Sequence, residues 1–137
     1  HAGEEAPAEY VWEAIKILKV SRIDHGYHMF EDPKLVEYVR DNRIPVTMCP
    51  LASVSVEYFK NLSEVPVKRA LDEGIIVSVN SDDPAYFGGY INENYKAVAE
   101  ALKLSKEDIK KIAENSFVSS FLNEDDKEKY IKAIKNL

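Results

Sequence analysis

A chain of 137 residues is an ordinary size for one compact domain and too short for two that each bury a good core. Its 45% hydrophobic and 31% charged residues are those of a globular protein, and no apolar run approaches the roughly 18 residues a membrane span needs, which excludes a membrane-embedded helix. A net charge of −6 with a pI near 5.1 excludes nucleic acid as a natural partner, because such binders gather Lys and Arg into a basic stripe. The single Cys49 rules out an intrachain disulfide framework and points to a reducing compartment, the cytoplasm.

In chain order, short apolar runs alternate with amphipathic stretches, the pattern of βα units on a parallel sheet. His1 reads as the last residue of a strand. Glu4, Glu5 and Pro7 suit a helix start, and Val11, Ile15 and Leu18 at helical spacing predict a helix over 7–19. Arg22 to Gly26 is a short strand with a polar tip. Asp32 and Pro33 form an N-cap and first helical residue, with Leu35, Val36 and Val39 as the buried stripe before a turn at Asp41-Asn42. Residues 44–49 are the next strand. A helix is predicted over 63–73, with Val67, Ala70 and Leu71 inward and Gly74 as its left-handed terminator. Ile75 to Val79 is nearly all apolar, as in a strand covered on both faces, and it runs into Asn80-Ser81-Asp82-Asp83-Pro84. Helices follow over about 92–104, from Ser105 with Asp108 as a capping-box variant and Asn115 as its stop, and over 125–135. No linker or internal repeat interrupts the chain, which reads as one domain over 1–137.

The residues able to do chemistry sit just after the strands. In parallel α/β folds the carboxyl ends of the strands share one face, so His1, Glu4, His25, Asp82 and Asp83 converge there although far apart in sequence. Each has a plainer use when taken alone. Glu4 and Glu5 complement a helix dipole, His25 can be a hydrogen-bonded structural imidazole, and His28 falls beyond the turn where surface residues are common. Asp82-Asp83-Pro84 is the most informative group, because adjacent carboxylates after an apolar strand are costly without a cation or a proton between them; a solvated turn is the alternative. One histidine with one aspartate suits an open zinc site.

These residues carry a pattern. His1-Ala2-Gly3-Glu4, Arg22-Ile23-Asp24-His25-Gly26, Cys49-Pro50 and Ser81-Asp82-Asp83-Pro84 come in the order and approximate spacing of the signature blocks of the adenosine/adenine deaminase family, and Asn115-Ser116-Phe117 with Ser120-Phe121-Leu122 resembles its closing helices. The resemblance implies an α/β fold, the C-terminal portion of a (β/α)8 TIM barrel with additional C-terminal helices and without its first strands. It implies zinc held by His1 and Asp82. It also implies Glu4 as the acid that protonates purine N1, His25 as the histidine that orients the zinc-activated hydroxide attacking C6, and Asp83 and Gly3 as purine-binding residues. Such chemistry is coherent, because zinc lowers the pKa of bound water to about 7 and an acid at N1 relieves charge on the ring.

Asp24 before His25, and Tyr86, Phe87, Gly88 and Gly89 after the paired aspartates, resemble the adenine branch, although the two aromatics also suit core packing. The expected reaction is hydrolytic deamination of adenine to hypoxanthine and ammonia. Adenosine or an N6-substituted adenine is the alternative substrate, and a non-catalytic α/β fragment that binds a purine or a partner chain is the alternative of another class. Two departures from the family stand out. The His-x-His pair of the first barrel strand is absent, so the chain is read as a fragment that needs the N-terminal half of the barrel and is inactive by itself. Ala52-Ser53 replaces the usual Ser-Asn after Cys49-Pro50-Leu51.

Overall fold

The computed structural model describes residues 1–137. Three parallel strands, β1 (Ile23–Asp24), β2 (Val46–Met48) and β3 (Val77–Val79), lie side by side in chain order. Their register pairs Ile23 with Val46 and Asp24 with Thr47, then Val46 with Val77, Thr47 with Ser78 and Met48 with Val79. Ala2 forms a single parallel bridge to His25, so the segment at His1 lies on the outer side of β1, as expected, though as a bridge rather than a strand.

The strands are shorter than the apolar runs that carry them. Pro45, just before β2, has no N–H to donate and only accepts, from Ile23 N–H at 2.9 Å. The ladder continues past the strands at their carboxyl ends, with His25 N–H donating to Thr47 O at 2.8 Å and Asn80 N–H to Met48 O at 2.8 Å. Strand ends that carry chemistry are therefore held by backbone bonds one residue beyond the sheet.

Ahead of β1 runs α1 (Ala8–Lys16), between β1 and β2 runs α2 (Pro33–Asp41), and α4 (Val67–Asp72) leads into β3. The first ends three residues before the predicted limit, because Lys19 turns left-handed at φ 57°, and Leu18 is left 72% exposed instead of joining Val11 and Ile15 in the core. Asp32 caps α2 by accepting from Lys34 N–H at 2.9 Å, as its sequence indicates. The predicted 63–73 helix is divided: Leu62–Glu64 is a 3-10 turn and α4 starts only after Pro66, since proline disfavours helix in the residue before it. Gly74 at φ 79° terminates the helix as expected.

Two short helices open directly after strands, α3 (Pro50–Ser55) and α5 (Pro84–Phe87), each with proline at its first position. The chain closes with α6 (Ile91–Ala101), α7 (Lys106–Val118) and α8 (Glu124–Lys135). Both halves of the Ser105/Asp108 capping box form.

Asn115 does not stop α7, which runs on to Val118. Its side chain is buried and donates from Nδ2 to Val77 O at 2.9 Å. Carbonyls alternate along a strand, and Ile76 O already accepts from Val46 N–H, so this bond covers the edge of β3 away from β2. The core gathers Val11, Ile23, Met29, Leu35, Val46, Met48, Val67, Val77 and Ile112 under the helices. No helix is long and apolar enough to cross a membrane.

Replacing Asn115 with Ala removes that edge bond and leaves a buried carbonyl unpaired, so urea unfolding should show a loss of about 1–3 kcal/mol. An unchanged midpoint would mean that α7 is not anchored through this side chain.

Candidate active site

A cleft of about 460 Å³ opens at the carboxyl ends of the strands, and His1, His25, Cys49 and Asp82 line it. His25 follows β1 and Asp82 follows β3. Both adopt positive φ, 74° and 57°, a region costly for residues with a Cβ but entered more readily by His and Asp than by most. Cys49 follows β2 and precedes α3. Ligand atoms of His25, Cys49 and Asp82 lie within 4.8 Å of one another, and the His1 ring sits 4.7 Å from the His25 ring.

His25 is the centre of this group. Its side chain is 4% exposed, and Nδ1 is 3.5 Å from Glu4 Oε1 without forming a hydrogen bond. That nitrogen is the one buried side-chain polar atom with no hydrogen-bond partner in the protein. Buried imidazole nitrogens are rarely left so, and an unpartnered one at a strand end among carboxylates marks a place for a ligand.

Gly3 turns left-handed at φ 67° just before Glu4. A Cβ there would meet Val11 Cγ2 at 2.5 Å, so only glycine lets this segment lie against α1. Its carbonyl accepts from His28 N–H at 2.9 Å. Gly3 and Glu4 line an adjoining cleft of about 310 Å³ together with His1 and Glu5. Asp83 stands apart: it is exposed, lines neither cleft, and precedes α5 without capping it. The structure thus brings His1, Glu4, His25 and Asp82 together with Gly3 beside them, and leaves Asp83 outside. His28 pairs with Glu31 at 2.8 Å, away from the central cleft. Tyr86 is 85% exposed and Phe87 half-buried, so the core packing weighed for these aromatics does not occur.

Negative charge dominates the electrostatics. Burial, and then the nearby Asp82, Asp24 and Glu4 carboxylates, push the Cys49 thiol up to about 12. Burial also pushes the Tyr27 phenol up; its hydroxyl accepts from Cys49 N–H at 3.0 Å and donates back to Cys49 O at 3.4 Å. Asp24 goes the other way: burial raises its carboxyl, but hydrogen bonds from Thr47 and Arg22 and the Arg22 charge outweigh it and hold the group below its ordinary value.

Several residues here were not singled out by their sequence. Cys49 was legible only as part of a motif, and nothing in its neighbours shows that β2 ends beside His25. Tyr58 donates to Glu5 Oε1 at 2.7 Å across 53 positions of sequence, and Asn94 bonds Leu51 N–H, Gly89 O and Tyr90 O, fixing the loop after α5 against α3. No local pattern marks either one.

Parallel strands joined by helices, with donors collected at their carboxyl ends, define a stretch of a (β/α)8 barrel whose chemistry lies at the mouth. The family model for adenosine deaminase matches residues 1–137, and the chain belongs to that family. An adenine deaminase from Crocosphaera subtropica is 53% identical over 128 residues, which are 93% of this chain and 39% of the relative. Among solved structures, the adenine deaminase from Arthrobacter aurescens matches at TM-score 0.97 and 39% identity, over 99% of this chain and 42% of that one. An amidohydrolase from Burkhoderia ambifaria with bound Zn matches at TM-score 0.89 over 99% of this chain and 38% of that one; at 23% identity it supports the fold alone. The chain spans about two fifths of the length of the curated relatives it matches.

Thiolate, not thiol, reacts with alkylating reagents. A thiol raised to about 12 and buried among carboxylates should leave Cys49 unmodified by iodoacetamide at pH 8 in the native protein and modified once it is unfolded in urea, as read by peptide mass spectrometry. Rapid native labelling would show that the pocket is open and less acidic than its geometry indicates.

Proposed function

We propose that the protein carrying this chain hydrolyses adenine to hypoxanthine and ammonia at the cleft mouth. The observation that carries the reading is the meeting of His1, Glu4, His25 and Asp82 at the ends of neighbouring strand positions, in a chain 53% identical to an adenine deaminase. Nitrogen and carboxylate donors beside an unpartnered buried imidazole nitrogen fit a zinc ion. His1 and Asp82 are the residues that would hold it, with further ligands from outside this chain. Zinc, when bound, supplies a Lewis acid that brings the pKa of water to about 7.

The chain's own residues do the rest. Glu4 delivers a proton to ring N1, drawing electron density from C6 so that an attacking oxygen can add there. His25, fixed at the cleft wall, orients the attacking water through its ring. Gly3, turned at φ 67° so that its backbone can approach closely, offers its N–H to the purine. Asp83 accepts a hydrogen bond from the imidazole edge of the base, for which it must come in from its exposed position as substrate binds. The C6–N bond breaks with ammonia as the leaving group, and the oxygen stays on carbon as the 6-oxo purine. A lone cysteine kept as a thiol suits the reducing cytoplasm.

Ultraviolet-monitored turnover of adenine and adenosine by the whole protein tests the reading. Turnover of adenine, abolished by a chelator and restored by zinc, is expected, with little on adenosine. The Glu4→Gln variant should lose about 10²-fold or more in kcat, because the amide has no proton to give. Tight purine binding without ammonia release would overturn the enzymatic reading, and preference for adenosine would move the substrate to the nucleoside.

A further inference from the structure

The arrangement beneath His25 points to one more residue of the reaction. The ring of His25 has no hydrogen bond at Nδ1, so its orientation is set by packing and by the backbone that presents it. That backbone is unfavourable in itself, since φ 74° on a residue with a Cβ costs about 1–3 kcal/mol and persists only where surrounding contacts over-determine it.

Thr47 grips two consecutive residues: its carbonyl accepts from His25 N–H at 2.8 Å, and its Oγ1 donates to Asp24 Oδ1 at 2.9 Å. The same Oδ1 accepts from Arg22 Nε at 3.0 Å. Arg22 is itself fixed, donating from its terminal nitrogen to Ser119 O at 3.2 Å and lying 4.7 Å from the Phe121 ring. On the other side of the strand, Ala2 N–H donates to Asp24 O at 3.3 Å and Gly26 N–H to Ala2 O at 3.1 Å. A continuous hydrogen-bonded line therefore runs from the end of α7 through Arg22, Asp24 and Thr47 to the strained residue that carries the imidazole.

We propose that Asp24 is a positioning residue for His25, acting through the single acceptor oxygen that ties β1 to Thr47 and Arg22. The proposal rests on the deamination reading above. Asp24 lines the same cleft, but its Oδ1 is taken by Thr47 and Arg22, so it acts on the reaction by holding the strand end that presents His25. What matters is the acceptor rather than the charge. An amide oxygen can take both donors, whereas a methyl group takes neither and leaves Thr47 Oγ1 and Arg22 Nε to turn elsewhere.

The test uses the whole protein with adenine. Asp24→Ala should lower kcat about tenfold or more with KM changed less than about threefold, because a misplaced orienting group costs rate more than binding. Asp24→Asn should recover most of that loss. Thr47→Val, which deletes one donor and keeps the volume, should give an intermediate fall in kcat. A second readout does not depend on turnover: the His25 Cε1–H resonance should broaden or split in Asp24→Ala and sharpen again in Asp24→Asn, showing the ring released and re-held.

Wild-type turnover with kcat unchanged in Asp24→Ala overturns the proposal, and so does an Asn variant as impaired as Ala. Should Asp24→Ala fail to fold, an unchanged kcat and an unchanged His25 resonance in Thr47→Val overturn it equally. A wild-type protein without adenine turnover removes the functional reading instead, and the resonance alone then decides whether Asp24 holds the ring.

Discussion

The chain leaves its strand positions through left-handed backbone at Gly3, His25 and Asp82, with φ of 67°, 74° and 57°. Glycine takes this conformation freely, but histidine and aspartate take it at a cost of about 1–3 kcal/mol each. The cost is met by ladder bonds just past the sheet, from His25 N–H to Thr47 O and from Asn80 N–H to Met48 O. In exchange the chain turns from strand to loop at the first residue after β1 and the third after β3, and His25 and Asp82 face the same cleft although 57 positions separate them in sequence. Everything chemical about the molecule depends on those sharp exits being held.

The second constraint is charge. Glu4, Asp24 and Asp82 surround Cys49, and Arg22 is the cation bonded directly among them, spent on Asp24. Burial first, and then these carboxylates, raise the thiol to about 12, and the carboxylates make the mouth a place where a cation is welcome. An imidazole nitrogen without a hydrogen-bond partner in the same place adds one more group open to a ligand. Stability and charge pull against each other here: the groups that weaken an empty site are the ones that would welcome a cation.

Much of this was legible in the sequence because it is local. The strands, the Asp32 and Ser105 caps, the Gly74 terminator and the closing helices follow from apolar period and capping chemistry within a few residues. His1, Glu4, His25, Asp82 and Asp83 stood out because they fall after strands, and parallel strands put such residues on one face, although Asp83 lies outside the cleft. The errors have two sources. The excess length of the first helix and the continuation of α7 through Asn115 were decided by a backbone turn and a partner that residue type does not announce, whereas the division at Pro66 follows from the proline itself. Asn115 reads as a helix stop from its preference for left-handed turns, and becomes a helix interior residue because a strand-edge carbonyl lies within its reach.

The sequence by itself determined the parallel α/β class, the order of the strands and longer helices, and the family, since hydrophobic period and short ordered motifs are properties of neighbours along the chain. Only the tertiary structure decided which groups touch: that Cys49 joins His25 and Asp82, that Asp83 stands outside, that Tyr58 reaches Glu5 and that Asp24 shares one oxygen between Thr47 and Arg22. Those contacts join residues from different strands and loops. They are fixed by strand register and loop path, which act over tens of residues and leave no mark on any single stretch of sequence.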